Sequence, residues 1–350
     1  MKGGVRLADG SEGIIDGSDG PVEVAENSAS LGAGIWMYND NHLRVSGDVT
    51  VRINWARWVG GGIGASTVGT IEMYDGVKIQ ENGAPTLGGG LWMDSLDVFS
   101  TGQVIIEENY VTGGAGFTGG STGEGGGYSA SGCSTFLFDG VVFRNNKAAR
   151  NGGGMCDNTV LASDEGDTNT IIMQNVVFTG NTAVLDGGGL YVKNKIVEVS
   201  GLLFLKNTAA RMAGGAVIDG SLEVVTMHNC SFIENTALGS CEGSQACGGG
   251  GAVSVLGNAV VHVEGSKFER NIAGNEGGGV YVAGTASLTL NMTKVSACKA
   301  RFDGGGISTR EASHVTLTDD VAIRNCESLD GKGGGILGRS PCPNVWHYFH

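Results

Sequence analysis

A repeat of about 27 residues runs through the whole chain and restricts the folds that it can adopt. In the copy Phe178–Val192, an apolar residue, two variable residues and an Asn are followed, after a short step, by three glycines and an apolar run. A repeat of this length is typical of a solenoid in which each copy forms one coil. Alignment on Asn181, which we call the anchor, recovers eleven copies, anchored at Asn27, Asn54, Asn82, Asn109, Asn146, Asn181, Asn207, Asn235, Asn271, Cys298 and Cys326.

Three apolar segments recur at fixed distances from the anchor. One has apolar residues ten and eight positions before it, such as Ile171 and Met173, and the second has an apolar residue three positions before it, such as Phe178. The third follows the glycines, as at Leu190. A spacing of two places side chains on one face of a strand. The sequence therefore predicts an all-β solenoid, a single-stranded parallel β-helix of about 11 coils with three short strands per coil.

Equivalent positions of successive coils stack in such a fold, so we expect two structural ladders. Buried Phe side chains are worth about 1.5–3 kcal/mol each, and anchor amides can donate and accept hydrogen bonds along the stack and tolerate a left-handed bend. The glycines, 64 of 350 residues, cluster at one phase and predict corners rather than phosphate-binding loops. The predicted ladder residues are Phe143, Phe178, Phe204, Phe232 and Phe268, and Asn146, Asn181, Asn207, Asn235 and Asn271.

Charge and hydropathy exclude several classes of partner. The net charge is −14 and no Lys/Arg-rich face is visible, so we do not expect nucleic acid as a ligand. We expect no membrane span, since no run of 18 apolar residues occurs, and no signal peptide is visible at the N-terminus.

We predict a cap or incomplete coil at residues 1–20, the β-helix at 21–340 and a tail at 341–350. Uncapped ends would permit self-association through open strand edges.

The motif pairs FTGN/GGGL, FLKN/GGAV, FIEN/GGGGAV and FERN/GGGV resemble the repeats of the chlamydial polymorphic outer membrane proteins. The resemblance covers about residues 20–340. That repeat class is similar to the right-handed parallel β-helix, or pectin-lyase-like, superfamily, so the resemblance implies a right-handed coil. Because the chlamydial repeat regions serve adhesion, it also implies an extracellular or cell-surface protein with a surface protein or glycan as its ligand.

The longer copies carry the candidate metal site. One insertion spans Tyr110–Glu124, another lies at residues 157–169, and a third holds Cys241–Cys247. Three carboxylates of the second, Asp164, Glu165 and Asp167, offer the oxygen ligands that calcium prefers. A solvated acidic loop is the alternative interpretation, and we predict no other cofactor.

The pectin-lyase-like enzymes supply an alternative function, polysaccharide lyase or hydrolase, or glycan binding. Such enzymes place carboxylates, or calcium held by carboxylates, on adjacent strands. Asp186 and Asp303 each precede a glycine triplet, which we interpret as corner polarity, and His228, His262 and His314 do not share a phase. We predict no catalytic residue and favour a non-enzymatic scaffold for adhesion. Trp36 and Trp92 share a phase that suits either sugar stacking or packing.

Four cysteines form two candidate disulfide pairs. Cys298 and Cys326 replace the anchor Asn in consecutive copies. Stacked strands place Cα atoms about 4.8 Å apart, inside the disulfide range of about 4.4–6.8 Å, so we predict that the two lie next to each other and that a bond can form. Cys241 and Cys247 bracket a short polar loop, where a local disulfide and two free thiols are equally consistent with the sequence.

Overall fold

The computed structural model describes residues 4–114, 122–131, 135–158, 170–193, 196–220, 224–239 and 249–339. These ranges contain β-strands, turns and bends, and no helix. Accordingly, no helix among them is long and apolar enough to cross a bilayer. The chain divides into two compact units, Met1–Ala183 and Val184–His350.

In the described part of the first unit, the chain forms 22 strands. They are β1 Val5–Ala8, β2 Glu12–Ala25, β3 Ser28–Leu31, β4 Ile35–Tyr38, β5 Asn41–Arg52, β6 Trp55–Val59, β7 Ile63–Ser66, β8 Gly69–Met73, β9 Lys78–Gln80, β10 Gly83–Ala84, β11 Leu91–Asp94, β12 Asp97–Thr101, β13 Ile105–Glu107, β14 Tyr110–Val111, β15 Tyr128–Ser131, β16 Phe136–Asp139, β17 Val142–Arg144, β18 Lys147–Ala148, β19 Met155–Asp157, β20 Thr170–Gln174, β21 Val177–Thr179 and β22 Thr182–Ala183.

In the described part of the second unit, 21 strands continue the same pattern. They are β23 Leu190–Lys193, β24 Ile196–Ser200, β25 Leu203–Leu205, β26 Thr208–Ala209, β27 Ala216–Asp219, β28 Val224–His228, β29 Ser231–Ile233, β30 Thr236–Ala237, β31 Val253–Leu256, β32 Val260–Glu264, β33 Lys267–Glu269, β34 Ile272–Ala273, β35 Val280–Val282, β36 Ser287–Asn291, β37 Lys294–Ser296, β38 Lys299–Ala300, β39 Ile307–Arg310, β40 His314–Thr318, β41 Ala322–Arg324, β42 Glu327–Ser328 and β43 Ile336–Arg339.

Each unit is built from three parallel sheets. Sheet A consists of the strands that follow the glycines, in the orders β1-β4-β7-β11-β15-β19 and β23-β27-β31-β35-β39-β43. Sheet B holds both strands that precede the anchor, and sheet C holds the short strands that follow it, in the orders β3-β6-β10-β14-β18-β22 and β26-β30-β34-β38-β42. The predicted parallel β-helix of about 11 coils with three sheets is therefore confirmed.

The short strands of sheet C are the part of the coil that the sequence analysis did not identify. Two of the predicted segments, the one around Ile171 and the one around Phe178, both lie in sheet B. The third sheet is made largely of two-residue strands such as Thr182–Ala183. Only the Ala of such a strand is buried, as for Ala183, so its sequence has no two-residue apolar period to detect.

The core of each unit contains stacked phenylalanine rings. In the first unit, Phe143 and Phe178 are parallel with ring centroids 4.8 Å apart. In the second unit, Phe232 lies 4.7 Å from Phe204 and 4.8 Å from Phe268, again with parallel planes. The register of the sheets produces these stacks, since Phe143 pairs with Phe178, and Phe232 pairs with both of its neighbours.

Candidate functional site

The anchor asparagines form a buried hydrogen-bonded ladder in each unit. In the first unit, the backbone N–H and Nδ2 of Asn54 both donate to Oδ1 of Asn82, each at 3.0 Å. Nδ2 of Asn54 also donates to the carbonyl of Val24 at 2.9 Å. In the second unit, Asn235 donates in the same way to Asn271 and to the carbonyl of Phe204.

The bend at the anchor is made by the residue before it. Glu81 has φ of 54° and Glu234 has φ of 54°, in the left-handed region, whereas the anchors themselves are not among the described residues with positive φ. The left-handed residue of the bend is thus the one before the anchor, although an Asn tolerates that conformation. What the anchor contributes is its amide: that of Asn82 accepts from the backbone N–H of Asn54 and donates to the carbonyl of Val51, two backbone groups of the preceding coil.

In the second unit the amide ladder ends in two thiols. Nδ2 of Asn271 lies 3.8 Å from Sγ of Cys298, and the Cys298 thiol lies 3.7 Å from the carbonyl of Phe268. Cys326 follows in the next coil, and both cysteines are free thiols in this structure. Cys241 and Cys247, the other predicted pair, lie outside the described residues.

A second row of polar side chains lies directly before the glycines, five residues after the anchor in most copies. The row contains Glu124 and Asn151 in the first unit, and Asp186, Glu276 and Asp303 in the second. All five are at most 6% exposed. A buried charge or amide is costly unless a neighbouring group binds it. Each of these side chains therefore needs a partner.

Arginines from other coils neutralise two of these carboxylates in the second unit. Arg211 Nε donates to Asp186 Oδ1 at 2.8 Å, and a second bond joins Nη2 to Oδ2. Arg310 binds both oxygens of Glu276, with Nε 2.6 Å from Oε2. Such two-pronged pairs are strong and directional. They hold the glycine corner of one coil against a neighbouring coil. The acids that we interpreted as corner polarity therefore act as partners of buried ion pairs.

In the first unit, Glu124 is held by amides rather than by a direct ion pair. Asn151 Nδ2 and Asn158 Nδ2 donate to Glu124 Oε1, each at 3.1 Å. Desolvation by burial raises the pKa of Glu124, against the attraction of Arg150. The neighbouring thiol of Cys156 is fully buried, and burial likewise raises its pKa well above the usual value.

The predicted calcium ligands Asp164, Glu165 and Asp167 lie outside the described residues. Within the described ranges, no group of three or more His, Cys, Asp or Glu side chains is placed to hold a metal ion. The histidines occupy different rows of sheet B: His228 pairs with Glu264, His262 with Thr289, and His314 with Ser287. Two described histidines lie beside carboxylates on the surface: His228 Nδ1 is 3.2 Å from Glu264 Oε2, and His42 Nε2 is 3.7 Å from Glu72 Oε2.

An exposed aromatic patch lies on the outer face of sheet C in the first unit. Trp55, Gly83, Tyr110 and Lys147 follow one another in register. The two rings approach to 5.8 Å between centroids, and each residue is 38% exposed. A Cβ at residue 83 would lie 2.7 Å from atoms of both rings, so only glycine fits between them. Arg57 is exposed two positions after Trp55, on the same face of the strand.

Sequence reasoning missed this aromatic patch, which we define as Trp55, Arg57, Tyr110 and Lys147. The available signal was an aromatic residue directly after the anchor in two copies, with Gly83 in the copy between them. The pair that was singled out, Trp36 and Trp92, stacks in parallel at 6.2 Å. Gly64 lies between them in register, and both indoles are half-buried, which favours packing over sugar stacking.

The repeated three-sheet coil defines this chain as a parallel β-helix repeat protein. Residues 175–193 match the Chlamydia polymorphic membrane protein repeat, and this segment contains the anchor Asn181 with its glycine triplet. No curated protein and no solved structure matches the chain. The sequence resemblance to that repeat family is thus supported by an independent match and by the fold.

Proposed function

We propose that the protein is an extracellular or cell-surface β-helix protein that acts as a non-enzymatic scaffold for adhesion. The observation that carries the proposal is the match of residues 175–193 to a repeat of a membrane protein family. The ligand is a protein or glycan of a neighbouring cell, and it binds to exposed sheet faces and to the loops inserted between coils.

The chemistry of the buried polar groups supports a scaffold. The carboxylates of Asp186 and Glu276 are bound by arginines, and that of Glu124 by two amides. The anchor amides are bound to one another and to backbone carbonyls. These groups rigidify the coil, and a rigid coil presents its outer faces with little loss of entropy on binding.

Surface location is tested on intact cells of the source organism. Antibody against the purified protein should label cells that have not been permeabilised, and external protease should remove the signal while a cytosolic marker protein is retained. Labelling only after permeabilisation would contradict the proposal. Adhesion is tested separately, by binding of the purified chain to neighbouring cells; time-dependent release of sugars from those cells would instead indicate an enzyme.

The aromatic patch favours a second candidate function, binding of an acidic glycan. Exposed Trp and Tyr rings are common energetic centres of binding surfaces, and the apolar faces of sugar rings can stack on them. Arg57 and Lys147 flank the rings with positive charge on a chain whose net charge is −14. Cationic side chains beside aromatic rings suit sugars that carry carboxylate or sulfate groups.

Glycan binding is tested with heparin and polygalacturonate as acidic probes and dextran as a neutral probe. Calorimetry and tryptophan fluorescence should show binding of an acidic probe that is weakened at least tenfold in Tyr110→Ala. Val68→Ala, which truncates an apolar side chain that is 69% exposed outside the patch, is the matched control and should bind as the wild type does. Equal binding by both variants would contradict glycan binding at the aromatic patch. It would not bear on adhesion through a protein ligand.

A further inference from the structure

Two thiols meet where the amide ladder of the second unit ends. Directly after Cys298 and Cys326, the strands β38 and β42 pair in register, Lys299 with Glu327 and Ala300 with Ser328. The backbone N–H of Glu327 donates to the carbonyl of Cys298 at 2.9 Å. The two cysteines therefore occupy equivalent positions of adjacent coils, at the sheet spacing of about 4.8 Å, which lies within the Cα range of disulfide bonds.

The two thiols differ in exposure and in acidity. Cys298 is fully buried, whereas Cys326 is half-buried. A hydrogen bond from the Cys298 thiol lowers the pKa of Cys326 to about 7. The same interaction, together with burial, raises the pKa of Cys298 well above its usual value. Since the thiolate is the nucleophile in thiol–disulfide exchange, the more accessible thiol of the pair is also the more reactive one.

We propose that Cys326 and Cys298 form a disulfide-exchange site, in which Cys326 attacks a small soluble disulfide and Cys298 resolves the mixed disulfide. With glutathione disulfide, the Cys326 thiolate forms a bond to one glutathione sulfur, and the other glutathione leaves as a thiolate that takes up a proton. Cys298 then loses its proton and attacks the Cys326 sulfur. The second glutathione leaves, so that one protein disulfide and two reduced glutathiones result.

The product bond would tie the last two anchored coils together at the position where the other coils use an amide. It closes the chain between residues 298 and 326 and so restricts the unfolded state of this segment. The inference does not depend on the proposed cell-surface function, because it follows from the geometry of the pair. It does assign opposite roles to two residues of the same type, and this asymmetry makes it testable.

Two cysteines of the same chain serve as internal controls. Cys230 is buried, and burial raises its pKa to about 11, while Cys156 is fully buried with a pKa raised well above the usual value. In the reduced, folded chain, iodoacetamide at pH 7 should therefore modify Cys326 at least tenfold faster than either control. Peptide mass mapping reports each cysteine separately and so distinguishes these sites from the remaining thiols of the chain.

The roles are separated with Cys298→Asn and Cys326→Asn, which restore the residue that other coils carry at the anchor and so preserve the fold. After exposure to glutathione disulfide, the wild type should contain the Cys298–Cys326 bond. Cys298→Asn should retain one glutathione on Cys326, because no thiol is left at residue 298 to resolve the mixed disulfide. Cys326→Asn should leave Cys298 unmodified.

Three results would overturn the inference. The first is glutathione on Cys298 of the Cys326→Asn variant at the rate found for Cys326. The second is a wild type that keeps both thiols free, or stops at glutathionylated Cys326, under conditions in which Cys298→Asn takes up glutathione. The third is a Cys326 that reacts no faster than Cys230 in the folded chain. Circular dichroism of the two variants, compared with the wild type, verifies that each comparison is made on folded protein.

Discussion

Replacement of Asn82 by Ala isolates the contribution of one rung of the amide ladder. In the first unit, Oδ1 of Asn82 accepts bonds from the backbone N–H and Nδ2 of Asn54, each at 3.0 Å. Its own Nδ2 donates to the carbonyl of Val51 at 2.9 Å and to Oδ1 of Asn109 at 3.0 Å. Ala removes all four bonds in a site where the Asn82 side chain is fully buried.

The expected loss is about 2–6 kcal/mol in the free energy of unfolding. It arises mainly because the Asn54 N–H and the Val51 carbonyl each lose a buried partner, at about 1–3 kcal/mol per group. Urea denaturation followed by circular dichroism measures the change. The slope of the unfolding free energy against urea should stay the same if only the folded state is altered.

Asn27→Ala is the matched control, because Asn27 lies at the open end of the same ladder. Its Nδ2 donates to Asn54 Oδ1 at 2.9 Å, and its side chain is only partly buried. Loss of this single bond should cost about 0.5–1.5 kcal/mol. Two results would show that the buried amide bonds do not stabilise the fold. One is an Asn27→Ala variant destabilised as much as Asn82→Ala, and the other is a cost of Asn82→Ala below 1 kcal/mol.

Three further variants test other features of the coil. Gly83→Ala should destabilise by about 1–3 kcal/mol and alter tryptophan emission, because the new Cβ would lie 2.7 Å from both rings of the aromatic patch; unchanged urea unfolding and emission would contradict the packing. Phe232→Ala opens a cavity between two stacked rings and should cost about 3–5 kcal/mol in urea unfolding, and a cost below 1 kcal/mol would contradict the ladder. Burial raises the pKa of Glu124 in the folded state, so its stabilising contribution is complete below the pKa of the unfolded chain and is lost as pH rises through the folded value. Glu124→Gln should therefore gain melting temperature relative to the wild type between pH 4 and pH 7, and a difference that does not vary with pH would refute this.

The sequence predicted the coil because the chain repeats it eleven times. The phase of Phe178 and Asn181 with the glycine triplet sufficed for the parallel pairing, since stacking of equivalent residues follows from any regular coil. The strands of sheet C were not predicted, because a pair such as Thr182–Ala183 buries only one small side chain. A periodic pattern needs at least two apolar residues per strand to be recognised.

The buried polar pairs depend on contacts that the sequence does not display. Glu276 and Arg310 are 34 residues apart, and Asp186 and Arg211 are 25 apart, so neither pair shares a phase of the repeat. An arginine reaches the row before the glycines from sheet A in one case and from the region after sheet C in the other. Only the folded coils bring these side chains together, which is why acids before a glycine corner gave no more than a polarity prediction.

The residues that depart from the repeat separate into two kinds once the coil is known. Gly64 and Gly83 each lie in register between two aromatic residues, and a Cβ at either position would come within 3.0 Å of a ring atom. Cys298 and Cys326 depart from the repeat at a position where an amide would satisfy the neighbouring backbone groups, and a thiol is a weaker donor and acceptor. Two consecutive coils thus give up the amide bonds that other coils retain. A covalent bond between them would replace that lost connection. The loss of amide hydrogen bonds at both positions is thus the physical argument for a disulfide between the two thiols.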